Sequence, residues 1–335
     1  MAVYRLEISP ISRSAGRNAT AAAAYRAGER IRDERTRKLH NYSHRTDVRH
    51  TEIFLPATLK DGEASWARDR ERLWNTAEAA EHQRNSRVAR EYQVSLPHEL
   101  SAPLRLELAR RFSRELADRH NIAVDLAIHE PRAGGDPRNH HAHLLVTTRE
   151  VGPLGLGAKA GLDRSDKDFA KFGLTGRGEL VAIRERWASL INDAYRAAGL
   201  DLRVDHRSLA AQGIDREPQP KIPFRLLQME QRGVPSEVAE RIRAAYRERV
   251  AARAARQALA AGAEAVDRSA EQLGPQTQGV EDVRRRAREA WMALRREALA
   301  AAGERGPGPE RNLSEDHAAD RDRGQKRAVD EDLGL

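Results

Sequence analysis

The chain contains no cysteine, and this absence limits the kinds of site it can carry. Disulfide bonds and cysteine-ligated zinc are both excluded, so any bound metal must be held by histidine, aspartate or glutamate. The 335 residues also contain no apolar run that approaches the roughly 18 residues of a membrane-spanning helix. The N-terminus lacks the basic-then-apolar order of a secretory signal and alternates like a strand. We therefore expect a cytoplasmic protein without a membrane span.

Aromatic residues are scarce at 4%, whereas charged residues make up 33% of the chain. The net charge is +8 and the pI is near 10.0. Such an excess of lysine and arginine suits a polyanionic partner, because side chains that neutralise phosphates gain affinity by releasing counterions. A soluble basic protein without any nucleic-acid partner has the same composition, so the charge alone does not decide between the two.

Two short apolar stretches, residues 122–129 and 141–149, are rich in branched side chains and are separated by glycine and proline residues. This pattern predicts two strands of one hairpin. Side chains alternate between faces along a strand, so His141 and His143 point the same way, and the hairpin can set His129 opposite them. A single histidine is more often a surface or core residue. Three on one face favour a divalent metal with open coordination positions.

The other strand-like segments share a pattern of one apolar face and one face with polar groups. They cover residues 2–9, 52–55 and 91–97. Helical patterns alternate with them over residues 19–31, 64–87, 102–120 and 179–198. Residues 32–50 are charged, follow no regular period and predict a surface loop. The sequence thus predicts an α+β fold, in which helices pack on one face of an antiparallel sheet and the other face is a polar working surface.

Three prolines between residues 218 and 223 indicate a domain boundary. We expect a first domain over residues 1–215. Residues 216–302 are rich in alanine, arginine and glutamate and predict a helical extension whose apolar stripe is too thin to form its own core. Residues 303–335 have few apolar side chains and predict a disordered tail.

Tyr25 is the one large ring on an alanine-rich helix that Asn18 can cap. Its neighbours at helical spacing are small and leave the hydroxyl reachable, whereas a core tyrosine usually has leucine or isoleucine there. A single tyrosine is more often a packing residue, so this helix alone leaves both packing and function open. A phenol that attacks phosphorus forms a phosphotyrosine and frees a hydroxyl on the other fragment. Arg13, Arg17 and Arg26 flank the tyrosine and are candidates for phosphate contacts, although arginines on a basic surface are often only solvated.

Asp125 has the spacing to share the face of His129. It is a candidate for a supporting role behind the metal ligands. The alternative is a carboxylate at a strand end that a neighbouring arginine satisfies.

Several short motifs, taken in this order, resemble the MobA/MobL family of plasmid mobilisation relaxases, which are HUH-type DNA-nicking enzymes. The resemblance covers roughly residues 1–215. The motifs that carry it lie at residues 1–6, 12–16, 24–26, 90–97, 127–129, 139–144 and 205–213.

The resemblance implies that Tyr25 is the nicking nucleophile at a plasmid transfer origin. It also implies that His129, His141 and His143 hold Mg²⁺ or Mn²⁺ and that Glu91 assists them. The implied substrate is a single-stranded region of supercoiled origin-of-transfer DNA. Accessory proteins of the relaxosome and a type IV secretion coupling protein are the implied partners.

Two positions depart from the family pattern. His140 replaces the small residue that usually precedes the His-x-His motif, and it should point away from the site. Gln93 stands where relatives often carry glutamate, so Glu91 must act without that second carboxylate. Glu91 either orients a ligating histidine or accepts the tyrosine proton.

Three other functions are compatible with parts of this pattern. A rolling-circle replication initiator would use a tyrosine after the His-x-His motif, which nominates Tyr195, although its neighbours Trp187, Leu190 and Ile191 indicate a core position. A metal-dependent hydrolase would use an activated water and leave no protein–DNA adduct. A DNA-binding accessory protein would have no activity and would not depend on the histidines.

Overall fold

The structure of the protein is a computed structural model that describes residues 4–60, 62–131, 134–272 and 278–303. The chain divides into two compact units, Met1–Gln212 and Gly213–Leu335. In chain order, the described part of the first unit forms β1 (Leu6–Ser12), α1 (Ala19–Ala27), β2 (Arg30–Arg32), β3 (Leu39–Asn41), β4 (Val48–Phe54), α2 (Arg70–Ala79), β5 (Arg87–Ser95), α3 (Ala102–His120), β6 (Val124–His129), β7 (His141–Val146), β8 (Arg149–Gly152), β9 (Gly155–Lys159), α4 (Asp166–Lys171) and α5 (Gly176–Ala197).

The centre of the first unit is a five-stranded sheet in the order β1-β5-β7-β6-β4. Each neighbouring pair of strands is antiparallel. The α+β fold class is therefore confirmed. The hairpin of β6 and β7 lies inside the sheet, so its backbone groups are paired on both sides and its side chains are held in a fixed register.

Helices α3 and α5 cover one face of the sheet with the larger of two apolar clusters. Its largest fully buried side chains include Tyr92, Phe112, Trp187 and Tyr195. Phe112 of α3 and Trp187 of α5 stack at 4.9 Å between ring centroids, so the two helices pack on each other as well as on the sheet.

The opposite face of the sheet is not the open polar surface that the sequence predicts. Helices α1 and α2 cover part of it with a second apolar cluster that contains Leu73, Trp74 and Leu145. Five alanines of α1 are buried, four of them in this cluster, and their small side chains let this helix approach the sheet closely. His129, His141 and His143 lie at one end of this face, where β6 ends and β7 begins.

The predicted surface loop at residues 32–50 is also more ordered than expected. Strands β2 and β3 form a small antiparallel hairpin, and β4 already begins at Val48. The sequence shows no regular hydrophobic pattern here because each strand has only three residues. The middle residue is buried in β2 and partly buried in β3, and the other two residues of each strand are exposed. Residues 42–47, which we call the 42–47 loop, connect this hairpin to the sheet.

The second unit is helical, as the sequence predicts. Its described elements are α6 (Phe224–Gln231), α7 (Glu237–Gln272) and α8 (Gln278–Gly303). The tail predicted to be disordered covers residues 303–335. Gly303 is the last residue of α8, and residues 304–335 lie outside the described residues. Across the portion of the chain that the structure describes, every helix is too short or too polar to span a bilayer.

Candidate functional site

Three histidine rings converge at one end of the sheet. In the β6–β7 hairpin His129 pairs with His141, and His143 lies two residues further along the same face. The ring centroids are 5.3 Å (His129–His141), 4.6 Å (His129–His143) and 5.1 Å (His141–His143) apart. One nitrogen from each ring lies within 4.8 Å of the other two, so the group has the dimensions of a metal site.

One nitrogen of each ring has an oxygen acceptor, so the lone pair lies on the other nitrogen. The pairs are His129 Nε2 with the Arg26 carbonyl at 2.7 Å, His141 Nδ1 with the Asn139 carbonyl at 2.9 Å, and His143 Nδ1 with Glu91 Oε1 at 2.6 Å. An imidazole N–H must donate in each case, which fixes the tautomer. The nitrogens left to bind an ion are Nδ1 of His129 and Nε2 of His141 and His143. The lone pair of His129 also has a neighbour, because Nη2 of Arg45 lies 3.4 Å from Nδ1 of His129.

Burial keeps these rings in the protonation state that a metal requires. It lowers the pKa of all three histidines, and that of His129 falls to about 3. Repulsion between the neighbouring rings lowers the pKa further. The three imidazoles are therefore neutral at neutral pH, and binding of an ion need not displace protons from them.

Glu91 on β5 connects the triad to the tyrosine helix. Its carboxylate accepts a hydrogen bond from His143 and two from the guanidinium of Arg26, the residue after Tyr25. Burial alone raises the pKa of Glu91, but these hydrogen bonds outweigh it and bring the pKa well below its ordinary value. Glu91 is thus an ionised, 6% exposed group that orients His143.

Tyr25 lies near the end of α1 and is 37% exposed. Asn18 caps this helix by accepting a hydrogen bond from the amide of Ala21, as the sequence predicts. The Tyr25 ring packs edge-to-face on Tyr42 at 5.2 Å and lies 4.2 Å from the guanidinium carbon of Arg45. The carbonyl of the next residue contacts His129, so the tyrosine helix borders the triad directly.

Tyr195 has the opposite environment. Its side chain is fully buried in the core beside α3, and its hydroxyl donates to Glu99 at 3.1 Å. Burial and the nearby carboxylate raise its pKa above the ordinary value. A buried phenol cannot reach a DNA phosphate, and its raised pKa disfavours the phenolate that would attack phosphorus. Tyr195 is therefore unsuited to be the nucleophile of a rolling-circle replication initiator.

A groove of about 830 Å³ begins at Tyr25 and runs along the outside of α1. Among the described residues that line it, none is acidic. Its four exposed cations are Arg17, Arg35, Lys38 and Arg84. A second groove, of about 580 Å³, lies on the other side of Tyr25 and contains the 42–47 loop. The phenol of Tyr25 thus lies between a cationic groove and a second groove that is lined by both acidic and basic residues.

Comparison with known proteins identifies the family. The family model described as MobA/MobL matches residues 17–232 of the chain. The chain belongs to the MobA/MobL family. The mobilization protein MobL of Acidithiobacillus ferridurans is 41% identical over an alignment of 243 residues, and the match covers 65% of this chain and 61% of that protein. The probable mobilization protein MobA of Bifidobacterium longum is 30% identical over 252 residues, 65% of this chain and 42% of that protein.

The chain is also similar to a solved structure. It is described as the molecular basis of vancomycin resistance transfer in Staphylococcus aureus, and it matches with a TM-score of 0.52 and 30% identity. The match covers 62% of this chain and all of that one. The family that the motifs predicted is confirmed. The chain spans less than two thirds of the length of these two curated relatives.

Two of the three arginines that were predicted to contact phosphates in this MobA/MobL chain have carboxylate partners inside the protein. Arg13 donates to the carboxylate of Glu78 and to nearby backbone carbonyls, and Arg26 pairs with Glu91. Both guanidinium groups are therefore paired with carboxylates inside the protein, although both residues also line the cationic groove, and their role as phosphate contacts stays a prediction. Arg17 keeps an exposed side chain in the cationic groove.

The carboxylate of Asp125 has partners other than the histidines. Its carboxylate accepts from the guanidinium of Arg70 at 2.9 Å and from the indole nitrogen of Trp74 at 2.9 Å. These bonds attach α2 to the sheet, so the carboxylate serves the packing of that helix and not the histidines. Of the two roles that the sequence allows for Asp125, these contacts match the strand carboxylate that a neighbouring arginine satisfies.

Sequence reasoning missed several residues of this site. Arg35, Lys38 and Arg84 reach the groove from β2–β3 and from the turn before β5, and Arg45 reaches Tyr25 from the 42–47 loop. Arginine and lysine are abundant throughout the chain, and no local motif distinguishes these four. Only the clustering of basic residues in 35–38 was available as a signal.

Proposed function

We propose that residues 1–215 form a relaxase domain that nicks one strand of plasmid origin-of-transfer DNA and keeps the 5′ phosphate on Tyr25. The observation that carries this proposal is the exposed phenol of Tyr25 between a cationic groove and three neutral histidines. A groove without acidic lining residues fits a DNA backbone, and the histidines fit the divalent ion that phosphodiester chemistry uses.

The protein side of the chemistry begins with the three imidazoles. Their free nitrogens would hold Mg²⁺ or Mn²⁺, which when bound withdraws negative charge from the scissile phosphate. Glu91 holds the ring of His143 by its N–H and keeps that nitrogen from competing as a ligand. We assign Glu91 to this orienting role and not to proton transfer, because its lowered pKa makes it a weak base.

The covalent step is a transesterification. The phenol oxygen of Tyr25 forms a bond to phosphorus while the bond from phosphorus to the 3′ oxygen breaks. The phenol releases one proton and the departing 3′ oxygen gains one, so the products are a 5′-phosphotyrosyl strand and a 3′-hydroxyl strand. One phosphodiester bond replaces another, which keeps the reaction reversible and allows the strand to be resealed.

DNA binding is assigned to the cationic groove. Arg17, Arg35, Lys38 and Arg84 expose their charges along it, and each contact to a phosphate releases counterions. The strand must be single-stranded near the nick, because its phosphate has to enter a groove that Tyr25 and Tyr42 flank. Binding should therefore weaken steeply as salt is added.

The test is incubation with supercoiled plasmid that carries the cognate transfer origin, with Mg²⁺ or Mn²⁺, followed by a denaturing gel. We expect a protein-linked strand with the wild type and with Tyr195→Phe, and none with Tyr25→Phe or after chelation. Adduct on Tyr195 would favour a replication initiator, and cleavage without an adduct would favour a hydrolase. If chelation and His141→Ala change no DNA transaction, the protein is an accessory DNA-binding protein.

The helical second unit is where we expect contacts with other transfer proteins. Accessory proteins of the relaxosome and a type IV secretion coupling protein stay predictions from the family. A pull-down of plasmid transfer proteins by the full chain and by a chain that ends at residue 215 would test them, because loss of capture with the short chain assigns the contacts to the extension.

A further inference from the structure

Arg45 makes contacts with both halves of the site, although no motif singles it out. Its Nη1 donates to the backbone carbonyl of Tyr25 at 2.5 Å, and its guanidinium carbon lies 4.2 Å from the centroid of the Tyr25 ring. Its Nη2 lies 3.4 Å from Nδ1 of His129. One side chain thus contacts the nucleophile twice and a histidine of the triad once.

The guanidinium is itself held in place. Its Nε donates to Asp47 Oδ1 at 2.9 Å, and Nη2 donates to the other oxygen of the same carboxylate. The side chains are only 7% exposed for Arg45 and 14% exposed for Asp47. A bidentate pair of this kind fixes the plane of the guanidinium, so the surface it presents to the tyrosine ring is fixed as well.

The backbone brings the 42–47 loop close enough for these contacts. Gly28 ends α1 in the left-handed conformation, with φ of 66°. A Cβ atom at this position would lie 3.2 Å from the side chain of Val48 and 3.7 Å from Cβ of Arg45. A glycine is therefore needed both for the turn and for the close approach of the loop. Tyr42 of the same loop packs edge-to-face against the Tyr25 ring.

We propose that Arg45 is a positioning residue that holds the Tyr25 ring in one orientation beside the histidine triad. An exposed tyrosine can rotate about χ1, and each wrong rotamer carries the phenol oxygen away from the phosphate. A cation over the ring and an edge-to-face partner favour one rotamer. This inference rests on the proposed nicking function, since it concerns the nucleophile of that reaction.

Two variants separate positioning from other roles. Arg45→Met keeps the apolar stem without the charge, and Arg45→Lys keeps the charge without the planar fork. Arg49→Met is the matched control, because Arg49 lines the same groove and has a 61% exposed side chain that pairs with Glu130. We measure adduct formation in single turnover at saturating DNA with Mn²⁺, and DNA affinity without metal by fluorescence anisotropy.

Positioning predicts a slower chemical step with unchanged binding. We expect Arg45→Met to slow adduct formation by about 100-fold, the loss typical of a reacting group that is displaced by about 1 Å. The dissociation constant for DNA should change by less than about threefold, Arg45→Lys should recover part of the rate, and Arg49→Met should keep the wild-type rate. A rate within threefold of wild type for Arg45→Met, or a loss of DNA affinity alone, would overturn the proposal.

A readout without DNA or metal makes the test independent of activity. With 3-fluorotyrosine placed at position 25, the ¹⁹F resonance should move and broaden in Arg45→Met but not in Arg49→Met, because only the first change frees the ring. An unchanged resonance in Arg45→Met would overturn the positioning role. If the resonance moves as expected while the wild type forms no adduct with any origin DNA, the proposed nicking function fails and the positioning contact stands.

Discussion

Replacing Glu91 with glutamine removes one charge at the point where the tyrosine helix meets the histidines. The two carboxylate oxygens accept three hydrogen bonds, two from Arg26 and one from His143. A glutamine has a single acceptor oxygen, and its NH₂ group must then face either a guanidinium or an imidazole N–H. At least one buried donor is left without an acceptor whichever way the amide is turned.

The expected loss has two parts. Removing one partner of a buried ion pair costs about 3–5 kcal/mol, and we expect about 3 kcal/mol for Glu91→Gln because one acceptor remains. Loss of a group that orients a ligating histidine costs about 10- to 100-fold in metal affinity. Both estimates rest on burial, since the side chain of Glu91 is 8% exposed and that of Arg26 is 11% exposed.

The stability difference should depend on pH in one direction. The pKa of Glu91 in the folded protein lies below its ordinary value of 4.5, so the carboxylate stabilises the fold above about that pH. This contribution is lost as the pH falls through the folded pKa. The difference in the free energy of unfolding between wild type and Glu91→Gln should therefore be largest near neutral pH and become smaller in acid.

The assays are urea unfolding for stability and calorimetric titration with Mn²⁺ for metal affinity. Glu52→Gln is the matched control, because Glu52 also accepts from a histidine and an arginine, His50 and Arg110, but its side chain is 31% exposed. We expect a change of less than about 1 kcal/mol for this surface pair and no change in Mn²⁺ affinity. Equal effects of the two substitutions, or wild-type Mn²⁺ affinity in Glu91→Gln, would refute the orienting role.

Three further outcomes are expected. His141→Ala should abolish the calorimetric signal of Mn²⁺ binding while the circular dichroism spectrum stays that of the wild type, and retained binding would exclude His141 as a ligand. Arg17→Gln should weaken single-stranded DNA binding equally for all sequences and reduce the salt slope by about 1, as anisotropy at several salt concentrations would show. Tyr195→Phe should lower the unfolding free energy by about 1 kcal/mol through loss of its bond to Glu99 and leave adduct formation intact.

The hairpin that carries the triad could be predicted because its determinants are local. Alternation along a strand fixes which histidines share a face, and the glycines and prolines between the strands fix the turn. The observed pairing of His129 with His141 follows directly from these rules. The reachable phenol of Tyr25 was predictable for the same reason, since it depends on the small residues one helical turn away.

The remaining contacts of the site depend on the order of strands and helices, which local patterns do not encode. Arg13 and Arg26 each bind a glutamate 65 residues away in the sequence. Before the fold is known, an arginine of this kind cannot be told from a solvated one. The contacts of Arg45 are even harder to predict from sequence, because its partners lie on α1, on its own loop and on β6.

Helix α1 holds the backbone of Tyr25 in place while it leaves the ring accessible to solvent. At its first turn, Glu78 accepts a hydrogen bond from the amide of Ala19 at 2.6 Å, and the same glutamate binds Arg13. At its last turn, Arg26 is paired with Glu91 in the sheet. A helix of nine residues would be marginal by itself, so these two buried glutamates supply the rigidity that a reactive group requires. The backbone of Tyr25 is thereby fixed while its ring stays exposed, and its rotamer is left to contacts such as that with Arg45.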